Sequence, residues 1–85
     1  MEQTGRRIYA KIWGMARDIQ KLFGKRLRAV RESKGISQLE LAERTGTMNH
    51  YLSVLESGQK EVCLKVLDKL ARGLGVSLST LFRGL

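Results

Sequence analysis

The fold is decided by residues 37–58, which read SQLELAERTGTMNHYLSVLESG. Ser37 and Glu40 have the spacing of a capping box, in which the serine hydroxyl accepts from the Glu40 amide and the Glu40 carboxylate reaches back to the Ser37 amide. Apolar residues recur at helical spacing after this box, stop at Gly46, and resume until Gly58. The stretch predicts two short helices joined by a tight turn, an arrangement in which the helices cross steeply and the second one projects from the surface.

Helical spacing also runs through the rest of the chain, and proline is absent. An apolar stripe begins at Ile8 and continues on a shifted face to Lys34, which predicts one bent helix or two consecutive helices over 6–34, with a break near 20–23. Two more helices are expected further on, the last capped by Ser77. The prediction is an all-α fold: a five-helix domain at 19–85, preceded by an extra N-terminal helix at 1–18.

The composition excludes several classes of protein. Eighty-five residues are too few for a nucleotide-fold enzyme with a substrate domain. His50, Ser53 and Cys63 form no nucleophile–base set, because the sequence places no orienting acid beside them, so no catalytic activity and no cofactor are expected. One cysteine, Cys63, and one histidine, His50, form neither an internal disulfide nor a four-ligand zinc site. Cys63 is expected to be inert and half-buried, and a reducing, cytoplasmic location is the default.

The charge is large and uneven. The net charge is +8, and residues 1–36 carry +7 of it while residues 37–85 carry +1. Such a basic balance indicates a polyanionic partner, either nucleic acid or an anionic membrane surface. No apolar run is long enough to span a bilayer.

The N-terminal stripe, which includes Trp13, leaves three possibilities open. It covers the core as an extra helix, forms a dimer contact, or lies at a membrane surface through residues 6–22. Met15 is also a plausible natural start.

The second motif helix is unusual for a core helix because polar residues crowd its first two turns. Leu52 and Leu55 are its expected inward anchors, whereas Asn49 and His50 are good readers of base edges. Asparagine pairs bidentately with adenine, and the N-terminal residues of a recognition helix enter the major groove. This pattern predicts that the helix is presented outward.

At this point residues 23–82 resemble the helix-turn-helix domain of phage repressors, Cro proteins and Xre-type bacterial regulators, whose fold is lambda-repressor-like. The matching segments are Phe23-Gly24-Lys25-Arg26-Leu27-Arg28 into Arg31-Glu32, Gly35-Ile36-Ser37-Gln38, Leu41-Ala42-Glu43 with Gly46, Leu52-Ser53 with Leu55-Glu56-Ser57-Gly58, Leu67 to Leu74, and Gly75-Val76-Ser77.

The resemblance implies roles for particular positions. Gln38 corresponds to a glutamine that braces the phosphate backbone, and Arg31 and Glu56 to a buried ion pair between the first helix and the recognition helix. The start of the recognition helix, its groove-facing side and the loop after it correspond to DNA contacts. The expected DNA-binding residues are Gln38, Met48, Asn49, His50, Tyr51, Ser53, Val54, Ser57 and Lys60.

Two departures from the family pattern stand out. Met48 occupies a position where relatives carry a capping serine or threonine, so either Thr47 is the cap or the helix start is loose. Cys63 occupies another serine cap position.

The expected function is therefore a sequence-specific regulator that binds double-stranded DNA as a homodimer and reads a palindromic operator, with no small-molecule ligand and no membrane partner. Arg26, Arg28 and Lys60 are expected to attract phosphate. The expected dimer residues are Leu78, Leu81, Phe82 and Leu85. The alternative is an interaction module or antitoxin-like partner with the same fold, which the absence of Lys and Arg from residues 47–58 favours.

Overall fold

The computed structural model describes residues 18–85, which form five α-helices and no strand. The helices are α1 (Ile19–Ser33), α2 (Gln38–Thr45), α3 (Asn49–Glu56), α4 (Leu64–Leu74) and α5 (Leu78–Leu81). The predicted all-α, five-helix fold is confirmed for this part of the chain. The predicted N-terminal extension, except for Asp18, lies outside the described residues.

The first helix begins where a capping residue allows it. The Asp18 carboxylate accepts from the amides of Gln20 and Lys21 at 3.0 and 3.3 Å, and Asp18 itself has extended backbone angles. From Ile19 the helix continues without interruption, so the break predicted near 20–23 is wrong. The sequence interpretation placed the break at the shift in the apolar face and overlooked Asp18, whose short acidic side chain is a favourable N-cap.

Leucines dominate the core, and the buried residues come from all five helices. The six largest fully buried side chains are Leu27, Leu41, Leu52, Leu55, Leu70 and Leu81. Leu52 and Leu55 are thus the inward anchors of α3, as predicted. Burial of two leucines on one face fixes which side of this short helix is turned to solvent.

Gly24 sets the distance between α1 and α3. A Cβ atom added there would lie 2.5 Å from the carbonyl oxygen of Leu55 and 2.6 Å from that of Glu56. These are backbone atoms, which move only if a helix moves. The last turn of α3 therefore rests directly on the backbone of α1, and only glycine permits this approach.

Replacing Gly24 with alanine should lower the free energy of unfolding. Alanine favours a helix interior over glycine by about 1 kcal/mol, but overpacking of this kind typically costs 1–3 kcal/mol and sometimes more. Because the obstacle is backbone, we expect a steric cost in the upper part of this range, about 2–3 kcal/mol. The net loss in urea unfolding should then be about 1–2 kcal/mol. Lys25→Ala, at the exposed neighbouring position, should stay within about 0.5 kcal/mol of the parent. A Gly24→Ala protein as stable as the parent would contradict the close packing of α1 and α3.

Candidate nucleic-acid interface

A three-residue turn connects α2 to α3. Gly46 ends α2 in the left-handed region, at φ 67° and ψ 24°, where glycine has no steric penalty. The Thr47 amide donates to the Ala42 carbonyl at 3.0 Å, and Met48 then returns to extended backbone angles. This turn gives the tight connection that the sequence predicts between the two motif helices.

No side chain caps the start of α3. Met48 is the N-cap residue and makes no side-chain cap hydrogen bond. Thr47, proposed from the sequence as an alternative cap, instead has its hydroxyl 2.7 Å from that of Thr45. Thr47 lies one position too early in the chain to cap the helix, so that prediction is wrong. The first-turn amides of α3 are therefore left without a capping side chain.

The polar start of α3 faces solvent. Asn49, His50 and Ser53 are exposed, and Tyr51 and Val54 are half-buried at the edge of the core. In the following loop Ser57 and Lys60 are exposed as well. The residues expected to read base edges thus lie on the surface of the described domain, opposite the face that Leu52 and Leu55 bury.

A buried ion pair holds the other end of α3. Arg31 donates from Nε to Glu56 Oε2 at 2.7 Å and from Nη2 to Glu56 Oε1 at 3.0 Å. The side chains are only 11% and 5% exposed. Arg31 Nη1 also donates to the Ile36 carbonyl at 2.8 Å. One guanidinium therefore joins α1, the loop before α2 and the last turn of α3, the pairing that the resemblance implied.

The same network engages Gln38 at the start of α2. Its Nε2 donates to Glu56 Oε1 at 3.0 Å, so the Glu56 carboxylate accepts three hydrogen bonds from two side chains. Hydrogen bonding to Glu56 raises the pKa of Arg31, outweighing the opposing effect of desolvation. The Arg31 guanidinium therefore stays charged in the folded protein. Gln38 uses one N–H in this network and retains its other N–H and its carbonyl oxygen for an outside partner.

The loop after α3 packs against the first turn of α1. Gly58 has φ 79°, and a Cβ atom there would lie 2.6 Å from the Lys21 Cα atom. The Lys60 ammonium lies 5.5 Å from the centroid of the Tyr51 ring. The Lys60 ammonium therefore lies beside α3, and Lys21 packs against the loop that follows this helix. Sequence reasoning missed Lys21, and the only signal for it was the glycine at position 58.

Burial raises the pKa of the Tyr51 hydroxyl, with a smaller contribution from Cys63. The hydroxyl therefore keeps its proton at neutral pH and is available as a hydrogen-bond donor.

Residues 27–81 match the helix-turn-helix family HTH_3. The chain belongs to this helix-turn-helix family. The control protein C.MunI of Mycoplasma sp. is 38% identical over 66 residues, which cover 76% of this chain and 89% of that protein. The HTH-type transcriptional regulator y4dJ of Sinorhizobium fredii is 40% identical over 60 residues, covering 71% and 78%. Some other curated relatives are longer, and the chain spans less than half of them.

A solved structure supports the same assignment. The restriction-modification controller protein C.AhdI of Aeromonas hydrophila superposes with a TM-score of 0.72 at 40% identity, covering 74% of this chain and 96% of that one. The expected resemblance to Xre-type regulators is thereby confirmed. In this helix-turn-helix domain α2 and α3 are the two motif helices, and α3 occupies the place of the recognition helix.

Two arginines expected to attract phosphate are engaged within the helix-turn-helix domain. Arg26 donates from Nε and Nη2 to the Thr80 carbonyl at 3.1 and 2.7 Å, which ties α1 to α5. Arg28 pairs with Glu32 at 3.2 Å on the exposed side of α1. The sequence interpretation treated both as free cations, because it overlooked Glu32 one turn from Arg28 and could not see the Thr80 carbonyl. The carbonyl accepts from two of the five N–H donors of Arg26 and leaves its charge in place, so the phosphate role stays a prediction.

Two further expectations are corrected. Leu81 is fully buried in the single chain, so it belongs to the core and cannot contribute to a dimer contact. Cys63 is exposed instead of half-buried, because it is the N-cap of α4 and lies outside the packed face of that helix.

Residues 18–85 contain no group of three or more His, Cys, Asp or Glu side chains that could hold a metal ion. Among the same residues, no helix has the length and apolar character needed to cross a membrane.

Proposed function

We propose that the protein is a sequence-specific transcriptional regulator that binds double-stranded DNA in the cytoplasm as a homodimer and reads a twofold-symmetric operator. The main observation in support of this proposal is the orientation of α3. Asn49, His50 and Ser53 face solvent while Leu52 and Leu55 are buried beneath them. A short helix held in this way, with a polar N-terminal half, is the geometry by which a recognition helix enters the major groove.

The residues divide by the part of DNA that they would contact. Asn49 and His50, at the N-terminus of α3, reach base edges, and Ser53 follows along the same face. Met48, Tyr51 and Val54 flank them and would face the groove alongside.

Phosphate contacts would come from around α3. Gln38 lies at the N-terminus of α2, where helix amides attract phosphate, and Ser57 and Lys60 lie in the loop after α3. Lys21 lies against that loop through Gly58. These contacts position the domain on the duplex and carry no sequence information themselves.

Two copies are needed for selectivity. One recognition helix contacts few base pairs, and each wrong pair costs only about 1–3 kcal/mol, so a doubled site supplies the discrimination that one domain lacks. Leu78 and Phe82 are 41% and 40% exposed. The Phe82 ring packs on Phe23 with 6.0 Å between ring centroids, and a neighbouring groove is lined by further apolar side chains, including Ile19, Val62 and Leu85. This apolar surface supports a homodimer.

Regulation would follow from occupancy of the operator. The similar proteins C.AhdI, a restriction-modification controller, and C.MunI, a control protein, support a role as an operon controller or repressor. The concentration of the protein, a partner or proteolysis would then set the occupancy.

Selection from a pool of random DNA duplexes tests the proposal, because it gives the site, its symmetry and its spacing together. We expect the full chain to enrich an inverted repeat with half-site centres about 10 base pairs, or roughly 34 Å, apart. Affinity should fall steeply between 50 and 200 mM salt, as phosphate contacts require.

No enriched sequence together with a flat salt response would instead favour an interaction module or antitoxin-like partner. The observation in favour of that second candidate is that residues 47–58 contain no Lys or Arg.

A further inference from the structure

The reading surface of α3 carries no cation. Residues 47–58 contain neither Lys nor Arg, and the Lys60 ammonium that lies beside the helix is placed over the Tyr51 ring. Guanine is read most commonly by a bidentate Arg or Lys at O6 and N7. The donors on this surface are the Asn49 amide, the His50 imidazole and the hydroxyls of Ser53 and Tyr51. Of these, the Asn49 amide matches the N6 and N7 pattern of adenine.

Next to Asn49 the surface exposes an apolar side chain. The Met48 side chain is 73% exposed, although it stands at the helix cap, where a hydroxyl or carboxylate side chain would stabilise α3. Met48 and Val54 line one shallow concavity on the outer side of the helix, together with His50, Tyr51, Gln59 and Lys60. The major-groove edge of thymine presents a C5-methyl group, which is the apolar feature that such a surface recognises.

We propose that this surface reads A·T base pairs: Asn49 pairs with adenine, and the apolar wall formed by Met48 and Val54 contacts the C5-methyl of a thymine. The inference deepens the proposed function and rests on it. Asn49 and Met48 are adjacent in the chain, on the N-cap and first turn that enter the groove, so the adenine and the thymine methyl belong to the same or neighbouring base pairs. The half-site is therefore A·T-rich under the start of α3.

Replacing thymine by deoxyuridine tests the methyl contact, because it removes that methyl group and leaves base pairing intact. The sequence enriched by the full chain is remade with deoxyuridine at one thymine position at a time, in both half-sites. At one position per half-site we expect the affinity to fall about fourfold per methyl, or roughly fifteen-fold for the symmetric pair. Substitution at thymines outside the half-sites should change nothing.

Protein variants assign the contact to Met48. The Met48→Ala protein should lose most of the difference between the thymine and deoxyuridine duplexes, because only the half-buried Val54 remains of the apolar wall. Met48→Gln, which keeps the length of the side chain but replaces the thioether by an amide, should also lose the difference, and circular dichroism checks that both variants fold. Leu64→Ala is the matched control because Leu64 is another exposed apolar residue, 80% exposed at the start of α4. It should retain the full thymine preference.

The possible results distinguish failure of the A·T reading from failure of the proposed DNA-binding function. A symmetric consensus with G·C pairs at the positions sensitive to Asn49, or equal binding of thymine and deoxyuridine at every position, overturns the A·T reading and leaves DNA binding intact. A thymine preference that survives both Met48 substitutions overturns the assignment to Met48. Failure to enrich any sequence removes the proposed function itself, and the inference with it.

Discussion

Arg31→Met should lower the free energy of unfolding by about 3–5 kcal/mol, because it leaves the Glu56 carboxylate buried without its charge partner. Glu56 is 5% exposed and receives two of its three hydrogen bonds from Arg31. The Ile36 carbonyl also loses a donor. Since small domains are stable by only about 5–15 kcal/mol, the substitution should remove a large share of the total. Urea unfolding followed by circular dichroism measures it.

A matched control is available on the same helix. Arg28 also pairs with a glutamate, Glu32, at 3.2 Å, but both side chains are more than half exposed. Exposed pairs of this kind contribute about 0.2–1 kcal/mol, so Arg28→Met should be nearly silent. If Arg31→Met proved as mild as Arg28→Met, the ion pair would not be what holds α3 against α1.

Helix caps were among the features that the sequence predicted well. Helix ends follow from local chemistry, and the caps at Ser37 and Ser77 form as predicted, with the hydroxyls accepting from the amides of Glu40 and Thr80 at 3.0 and 3.1 Å. The other predicted hydrogen bond of the capping box, from the Ser37 amide to the Glu40 carboxylate, does not form, because that carboxylate pairs with Arg44 at 2.7 Å. Sequence spacing identifies a possible hydrogen-bond partner but does not predict which of two competing partners a side chain will bind.

Contacts between residues far apart in the chain could not be predicted from the sequence. Arg28 has a local partner, Glu32, one turn along the same helix, whereas the carbonyl that Arg26 binds lies 54 positions away and has no signal in the sequence. Leu78 and Leu81 have the same apolar character, but α5 is a single turn, too short for periodicity to separate the inner from the outer face. Leu81 is buried and Leu78 is exposed. Gly24 likewise acquires its role only when α3 packs upon it.

The orientation of α3 was more predictable than these contacts, because it depends only on residues within the helix itself. A polar N-terminal half on a helix with two leucine anchors leaves the polar side chains only one direction in which to point. The exposure of Asn49 and His50 therefore followed from residues 49–55 alone. The engagement of Gln38 with Glu56 did not, because their positions are 18 residues apart.

Asn49→Ala should have the largest effect on operator binding. A bidentate amide contact with adenine contributes about 1–3 kcal/mol of discrimination, and a homodimer makes the contact twice. The enriched operator should therefore bind about 2–6 kcal/mol more weakly, which is roughly thirty-fold to more than ten-thousand-fold in affinity. The preference should also relax at the adenine position, since no other donor replaces the lost amide. Titration of the operator and of duplexes altered at that position measures both effects.

Lys60→Ala distinguishes base reading from phosphate contact. Lys60 is exposed at the edge of the same surface, so its loss should weaken binding to all sequences about equally and reduce the slope of log affinity against log salt by about one per domain. Asn49→Ala should leave that slope unchanged because an amide releases no counterions. If Asn49→Ala weakened every sequence alike while the enriched consensus stayed the same, Asn49 would be a backbone contact, and the specificity of this helix-turn-helix domain would have to come from other residues on α3.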